Sequence, residues 1–386
     1  MRRIYLDHTA TTPLDPRVME AMRPCFSGTF GNASSVHAYG RDARELLERA
    51  RGIIAEAVGA EPAEIFFTSG GTEADNLAIF GVIAAAGGRQ GIVTSRAEHH
   101  AVLEPCRYLA EKGKDVSFLP VDPCGAVDID PLRRQVGGGT ALVSIMHANN
   151  ETGTISAIQS IAAIAHQAGA LFHTDAVQSA GKIPLDVREL GLDLMTLSAH
   201  KMYGPKGIGA LFVRRGVPVD PMLYGGGQER GRRPGTENVP LAVGFAEAFR
   251  LASLEREEES ARLRSLRDGL ERSIRELFPG IIVNGDSSAR LPHILNISFP
   301  GELFPLEGDM LVMNMDLEGI ALTSGSACTS GSLDPSHVIL AMGRDEKTAK
   351  ATLRFSFGKG NTMDDVGYVA EKLNVVIKRM LKKPAG

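Results

Sequence analysis

DLMTLSAHKMYGPKG, Asp193 to Gly207, joins an apolar run to a histidine, a lysine and a glycine-proline turn. The run Leu194 to Leu197 is short, continuous and broken at once by Ser198, which is how a strand buried in a largely parallel sheet reads. A lysine just beyond such a strand is costly to leave charged and unpaired. Desolvation lowers its pKa toward that of a nucleophilic amine able to form a Schiff base. Lys201 holds that place. Lys206, between Pro205 and Gly207, reads as a surface lysine with its amine in water.

Working outward, three more apolar runs end in polar or glycine residues: EIFFTSGGTEADN (64–76), ALVSIMHANNETG (141–153) and ALFHTDAVQSAGK (170–182). Between them lie helical stretches such as AIQSIAAIAHQAG (157–169), with Ile158, Ile161, Ile164 and Ala165 at helical spacing and Gly169 as the stop. Alternating strand and helix predicts an α/β fold with a mostly parallel sheet. Ligands in such sheets bind beyond the carboxyl ends of the strands, where Gly70, Gly71, Asn150, Asp175 and Lys201 fall. From about Val243 to Phe278 a charged amphipathic pattern carries Leu263, Leu266, Leu270, Ile274 and Leu277. It reads as the bridge from a large domain (15–257) to a smaller α+β domain built from 1–14 and 258–386. In the latter, HILNISFPG and TLRFSFG alternate as strands with one wet face.

With 386 residues, 43% apolar and 23% charged, the chain can bury a sizeable core, and disordered and fibrous classes are excluded. A net charge of -4 gives no basic field, so nucleic acid is not an expected partner. No run is long enough to span a bilayer, and the start MRRIYLDHTATTP turns polar after a few residues, unlike a signal peptide, so neither membrane nor secretion is expected and the cytoplasm is. Cys25, Cys106, Cys124 and Cys328 lack CxxC spacing, which indicates neither a metal site nor a disulfide framework. SGSACTSGS (324–332) surrounds Cys328 with small residues suited to a mobile, water-exposed loop. That cysteine is either incidental or a nucleophile that the fold brings to a partner.

In IFFTSGGTEADN a strand passes through two glycines to Thr72, with Asp75 three residues later as in a capping box, and a helix follows. Its free amides and dipole would seat a phosphate, although any strand-to-helix junction looks similar. Neither GxGxxG nor GxxxxGK[ST] is present. Asp175 reads two ways, as a helix cap or as the anion that keeps a pyridoxal phosphate ring nitrogen protonated. Gln178 would then meet the ring's phenolic oxygen. His99 beside His100 also reads as a surface pair, Arg354 as a solvated arginine and Thr236 as an ordinary turn residue.

Taken together, SGGTEADN, AEHHAV, HANNETG, TDAVQSAGK, SAHKMYGPKGIGAL, RPGTEN, SGSACTS and RFSFG resemble the cysteine desulfurases of the NifS and IscS type, pyridoxal phosphate enzymes of aminotransferase class V and fold type I. The resemblance runs from YLDHTATT to RFSFGKGNT. It implies that Lys201 holds pyridoxal 5'-phosphate, that Asp175 meets the ring nitrogen and Gln178 the phenolic oxygen, and that His99 stacks on the ring and assists proton transfer. Gly71, Thr72, Ser198 and His200 would bind the phosphate, with Thr236 added from the partner of a homodimer. Asn150 and Arg354 would position L-cysteine, which becomes L-alanine while Cys328 carries the sulfur as a persulfide. An acceptor protein of iron–sulfur assembly or tRNA thiolation would receive it, with Cys328 a transient cluster ligand when a scaffold is bound. Two departures, LDHTATT and GNASSVH, fall where the family has LDNNATT or LDYAATT, and NPSS before a histidine. A selenocysteine lyase, an aminotransferase and a catalytically silent binding module are the competing readings.

Overall fold

Short runs with apolar residues on both faces become strands because only a sheet covered on two sides buries them all. The computed structural model describes residues 2–325 and 334–382. The chain runs from β1 (Ile4–Tyr5) through helices α1 (Pro16–Met22) and α2 (Ala38–Ala57) to β2 (Ile65–Thr68), α3 (Gly71–Ala85), β3 (Gly91–Ser95) and α4 (His100–Glu111). It continues with β4 (Val116–Leu119), α5 (Ile129–Gln135), β5 (Thr140–Ser144), α6 (Ile158–Gln167), β6 (Leu171–Asp175), β7 (Leu194–Ser198) and β8 (Gly209–Val213). The long helix α7 (Val239–Leu277) leads to β9 (Ile282–Asn284), β10 (Ile294–Ser298), α8 (Gly308–Leu317) and β11 (Ile320–Ala321). The chain closes with α9 (His337–Ala341), α10 (Glu346–Lys350), β12 (Thr352–Ser356) and α11 (Met363–Lys382).

Seven strands form the large sheet in the order β2-β8-β7-β6-β5-β3-β4. Strand β8 is antiparallel to both neighbours, because its short link from β7 cannot make a parallel crossover. The other strands share one direction. Successive residues serve opposite faces: Phe67, Val143, Met195 and Phe212 pack toward Leu47, Ile54, Phe245 and Phe249, while Phe66, Leu142, Leu194 and Leu211 pack toward Leu77, Ile79 and Val82 of α3. The carboxyl ends of β2, β3, β5, β6 and β7 therefore open on one edge.

A three-stranded antiparallel sheet, β12-β10-β9, has its own core, in which Leu295, Ile297, Leu353 and Phe355 meet Leu263, Leu266, Leu270 and Ile274 of α7. The first turns of α7, through Leu251, belong to the large-sheet core instead. Two expectations are corrected here. Leu277 continues the helical spacing but is 39% exposed, at the last turn where the helix leaves its core. The polar face of β10 and β12 is not wet, since every residue of both strands is buried. That face lies against the edge of the large sheet and is satisfied there: Asn296 Nδ2 donates to the Glu151 carbonyl at 3.2 Å, Arg354 Nη1 to the Asn150 carbonyl at 3.0 Å, and Ser356 Oγ pairs with Thr9 Oγ1 at 3.1 Å. Alternation marked a polar seam, which burial tolerates because most of its groups are paired. Among the described residues no helix is long and apolar enough to cross a membrane.

The segment before α7 is fixed by a buried ion pair. Glu229 and Arg51, each at most 3% exposed at the side chain, meet at 2.7 Å, and Glu229 also accepts the Phe67 N–H at 2.9 Å. Glu229 and Arg230 hold positive φ angles of 45° and 57°, so the carboxylate anchors a backbone that non-glycine residues seldom adopt. Glu229→Gln removes the counter-charge of a buried guanidinium and should lose about 3–5 kcal/mol. The check is the urea midpoint: a clear drop is expected, and a wild-type midpoint would contradict the anchoring.

Candidate active site

A cavity of about 240 Å³ sits on the open edge of the sheet. Each strand end supplies it. Gly71 and Thr72 begin α3 after β2, His99 caps α4 after β3, Asn150 follows β5, Asp175 ends β6, and Ser198, His200 and Lys201 continue from β7; Asp75, Met146, Val177 and Gln178 complete the lining. Nine of the sequence-predicted residues are thus brought together. Thr236 lines a separate cavity of about 220 Å³ with Ser69 and Arg233. Arg354 is not in the lining, and Cys328 lies outside the described residues. Lys206 is exposed.

Lys201 sits in a single 3₁₀ turn, Ala199–Lys201, rather than on the strand itself. Its Nζ donates to the carbonyls of Thr9 at 2.6 Å and Ala10 at 2.8 Å, both from the LDHTATT segment. Desolvation first, then the charge of Arg354, lowers its pKa to about 8, against the opposing pull of Asp175 and Asp7. Gln178 Nε2 reaches the same Thr9 carbonyl at 3.1 Å. The sequence offered no signal for this arrangement, because main-chain carbonyls carry no residue type.

Asp175 is 6% exposed, and its Oδ1 accepts the Val177 N–H at 2.8 Å. Burial raises its pKa to about 6, against the opposing pull of that amide and of Lys201. His99 Nδ1 accepts the Ala101 N–H at 3.1 Å, which puts the ring proton on Nε2. Desolvation, Lys201 and the neighbouring His100, His337 and Arg354 lower its pKa to about 4, so it works as a neutral ring. His200 Nδ1 pairs with Thr11 Oγ1 at 3.1 Å.

The start of α3 differs from the expected capping box. Its N-cap is Gly70, with no side-chain cap, and Glu73 accepts the Ser69 N–H at 2.7 Å. Asp75 is turned inward at 1% exposure instead. The first amides of α3 therefore stay free beside Thr72 and Ser198, a seat for an anion. A Cβ at Gly71 would meet Val177 Cγ2 at 3.0 Å, so glycine keeps that seat open.

Arg354 is 5% exposed, pairs with Asp7 Oδ1 at 2.8 Å and holds the carbonyl of Asn150, while its Nε has no partner among the described residues. It is buried rather than in solvent, and its charge reaches Lys201 and His99 in the cleft. Asp7 was missed because LDHTATT read only as a departure. Its partner lies 347 positions away, a pairing no local pattern encodes.

The profile of the aminotransferase class-V family matches residues 4–369. A cysteine desulfurase IscS of Dictyoglomus turgidum is 46% identical over 380 residues, covering 98% of this chain and 95% of that protein. A solved structure of a NifS-like protein superposes with a TM-score of 0.91 at 38% identity, over 98% of this chain and all of its own. Another, described as SspA in complex with cysteine, gives 0.81 at 35% identity, over 92% and 99%.

Because deprotonation makes an amine nucleophilic, acylation of Lys201 in the ligand-free protein, followed by peptide mass spectrometry, should rise through pH 8 and then level off. A curve still climbing at about pH 10, where an ordinary lysine titrates, would contradict the desolvated placement.

Proposed function

This chain belongs to the aminotransferase class-V family and is a cysteine desulfurase, and from that premise we propose that its cleft binds pyridoxal 5'-phosphate at Lys201, converts L-cysteine to L-alanine and passes the sulfur to Cys328. The observation that carries the reading is the desolvated Lys201 amine, fixed by two carbonyls beside the buried Asp175. The residues fit the cofactor: a poised amine, a buried carboxylate for a ring nitrogen, an amide donor in Gln178 for a phenolic oxygen, and free α3 amides with Thr72, Ser198 and His200 for a phosphate. Bound there, pyridoxal phosphate supplies an aldehyde that condenses with amines and a ring that draws electrons from the substrate's Cα.

Lys201 takes the proton from Cα, which its lowered pKa allows near neutral pH. His99, neutral, offers its Nε2–H over the cleft. Asn150 and Arg354 receive the amino-acid carboxylate, for which a guanidinium is the matching fork. Asp7 holds that fork in place from behind. The Cys328 thiolate then attacks the substrate sulfur. An S–S bond forms as the C–S bond breaks, and the released electron pair stays on carbon, which takes up a proton and becomes the methyl group of alanine.

The other thiols are poorly set for this step. Cys25 and Cys106 are buried, and burial pushes Cys106 up to about 12; Cys124 is exposed, but its pKa is also raised. A homodimer in which Thr236 reaches the partner's phosphate site, and delivery of sulfur to an acceptor protein of iron–sulfur assembly or tRNA thiolation in the cytoplasm, complete the reading.

The purified protein should show a visible band that borohydride fixes onto Lys201, and it should make alanine from L-cysteine without added keto acid. Lys201→Ala should lose both, and Lys206→Ala neither. The reduced cofactor on Lys206, or alanine only with a keto acid, would contradict the reading; the latter would make the protein an aminotransferase.

A further inference from the structure

Behind the cleft, on the sheet face covered by α3, lies a row of buried polar side chains that the steps above do not use. His173 is wholly enclosed on β6; its Nδ1 lies 2.8 Å from Ser144 Oγ and its Nε2 3.0 Å from Thr196 Oγ1. Thr196 stands directly opposite Asp175 on the adjacent strand and also hydrogen-bonds Asp75. Asp75 comes from α3 and shares the cleft wall with Asp175. Among the described residues its Oδ1 has no hydrogen-bond partner, and His173 Nε2 is 3.6 Å away, too far for a hydrogen bond.

Two carboxyl groups in one dry pocket do not both ionise opposite a single cation, so the pair keeps one proton. The geometry decides where. Asp175 accepts a backbone N–H and faces Lys201, both of which favour its charge. Asp75 has neither. Its acidic neighbours are Asp175 and Glu98, and burial first, then Asp175, raises its pKa well above the carboxylate range. His173 offers no charge, because burial lowers its pKa to about 3.

Building on the proposed cofactor, we infer that Asp75 is a positioning residue: it holds the proton of the Asp75–Asp175 pair, and so leaves Asp175 as the ionised member that meets a protonated ring nitrogen in the cleft. If Asp75 lost that proton, a second negative charge would stand beside Asp175 and raise the proton affinity of both the ring and Lys201. The titratable groups around the pair are His173 on β6, Glu98 after β3, Lys201 after β7, and His99 and His200, which share the cleft wall. Glu98 is the one that must be separated experimentally. Its Oε1 accepts from Ser95 Oγ and the Met146 N–H, its Oε2 has no partner among the described residues, and burial pushes it up to about 8.

The test is infrared difference spectroscopy on the Glu98→Gln protein loaded with pyridoxal phosphate at neutral pH, together with pH titration of the visible band in Asp75→Asn. A carboxylic C=O stretch should persist in Glu98→Gln and vanish in Glu98→Gln/Asp75→Asn. The band's midpoint in Asp75→Asn should move by less than about half a unit, because no charge is removed. Absence of the stretch in Glu98→Gln, a reading that does not depend on how Asp75→Asn folds, would overturn the inference. So would a midpoint lowered by about one unit or more, the sign expected for loss of a carboxylate beside Lys201. A wild-type protein that takes up no pyridoxal phosphate would instead overturn the cofactor reading, and the positioning role with it.

Discussion

A lysine nitrogen fixed by two main-chain carbonyls is the contact on which the rest of the site depends. Those carbonyls belong to a short N-terminal segment that touches both cores. Leu6 packs among the side chains of the smaller sheet, and its N–H donates to the Ala321 carbonyl at 2.8 Å. Thr9 Oγ1 meets Ser356, Thr12 donates to the His200 carbonyl through both N–H and hydroxyl, and Asp15 N–H reaches the Tyr203 carbonyl. One stretch of chain therefore sets the lysine turn and the Arg354 strand in register. Asp7, in the same stretch, adds the ion pair that orients Arg354.

The electrostatics follow from burial more than from pairing. Lys201 is shifted down by desolvation, Asp175 and Asp75 are shifted up by it, and His99 and His173 are kept neutral by it. A site of this kind carries groups on both sides of neutrality without a large net charge, which lets one set of residues both take and give a proton near pH 7. The sheet makes this possible. Its parallel strands end together, and their last residues inherit a dry wall on one side and an open edge on the other.

The apolar runs made the large sheet legible, because a strand buried on two faces has a simple signature, and the residues just past each run could be assigned to one edge from the sequence. Lys201, Asp175, Asn150 and Gly71 were found that way. Arg354 and Thr236 were named from the family likeness alone, and neither is among the residues that line the cleft within one chain. What sequence pattern could not supply were contacts without a local period. The Thr9 and Ala10 carbonyls, the Asp7–Arg354 pair and the inward turn of Asp75 all depend on partners far along the chain. The misread polar face of β10 and β12 has the same cause: alternation says that a face is polar, and only the fold says whether water or another polar surface covers it.

The proposed function requires that sulfur leave the cleft on one thiol, that of Cys328. After brief exposure of the purified protein to L-cysteine, mass spectrometry of its peptides should place a single extra sulfur, removable by a reductant, on the peptide containing Cys328. The same sulfur on Cys25, Cys106 or Cys124, or alanine formed with no sulfur on any cysteine, would contradict it.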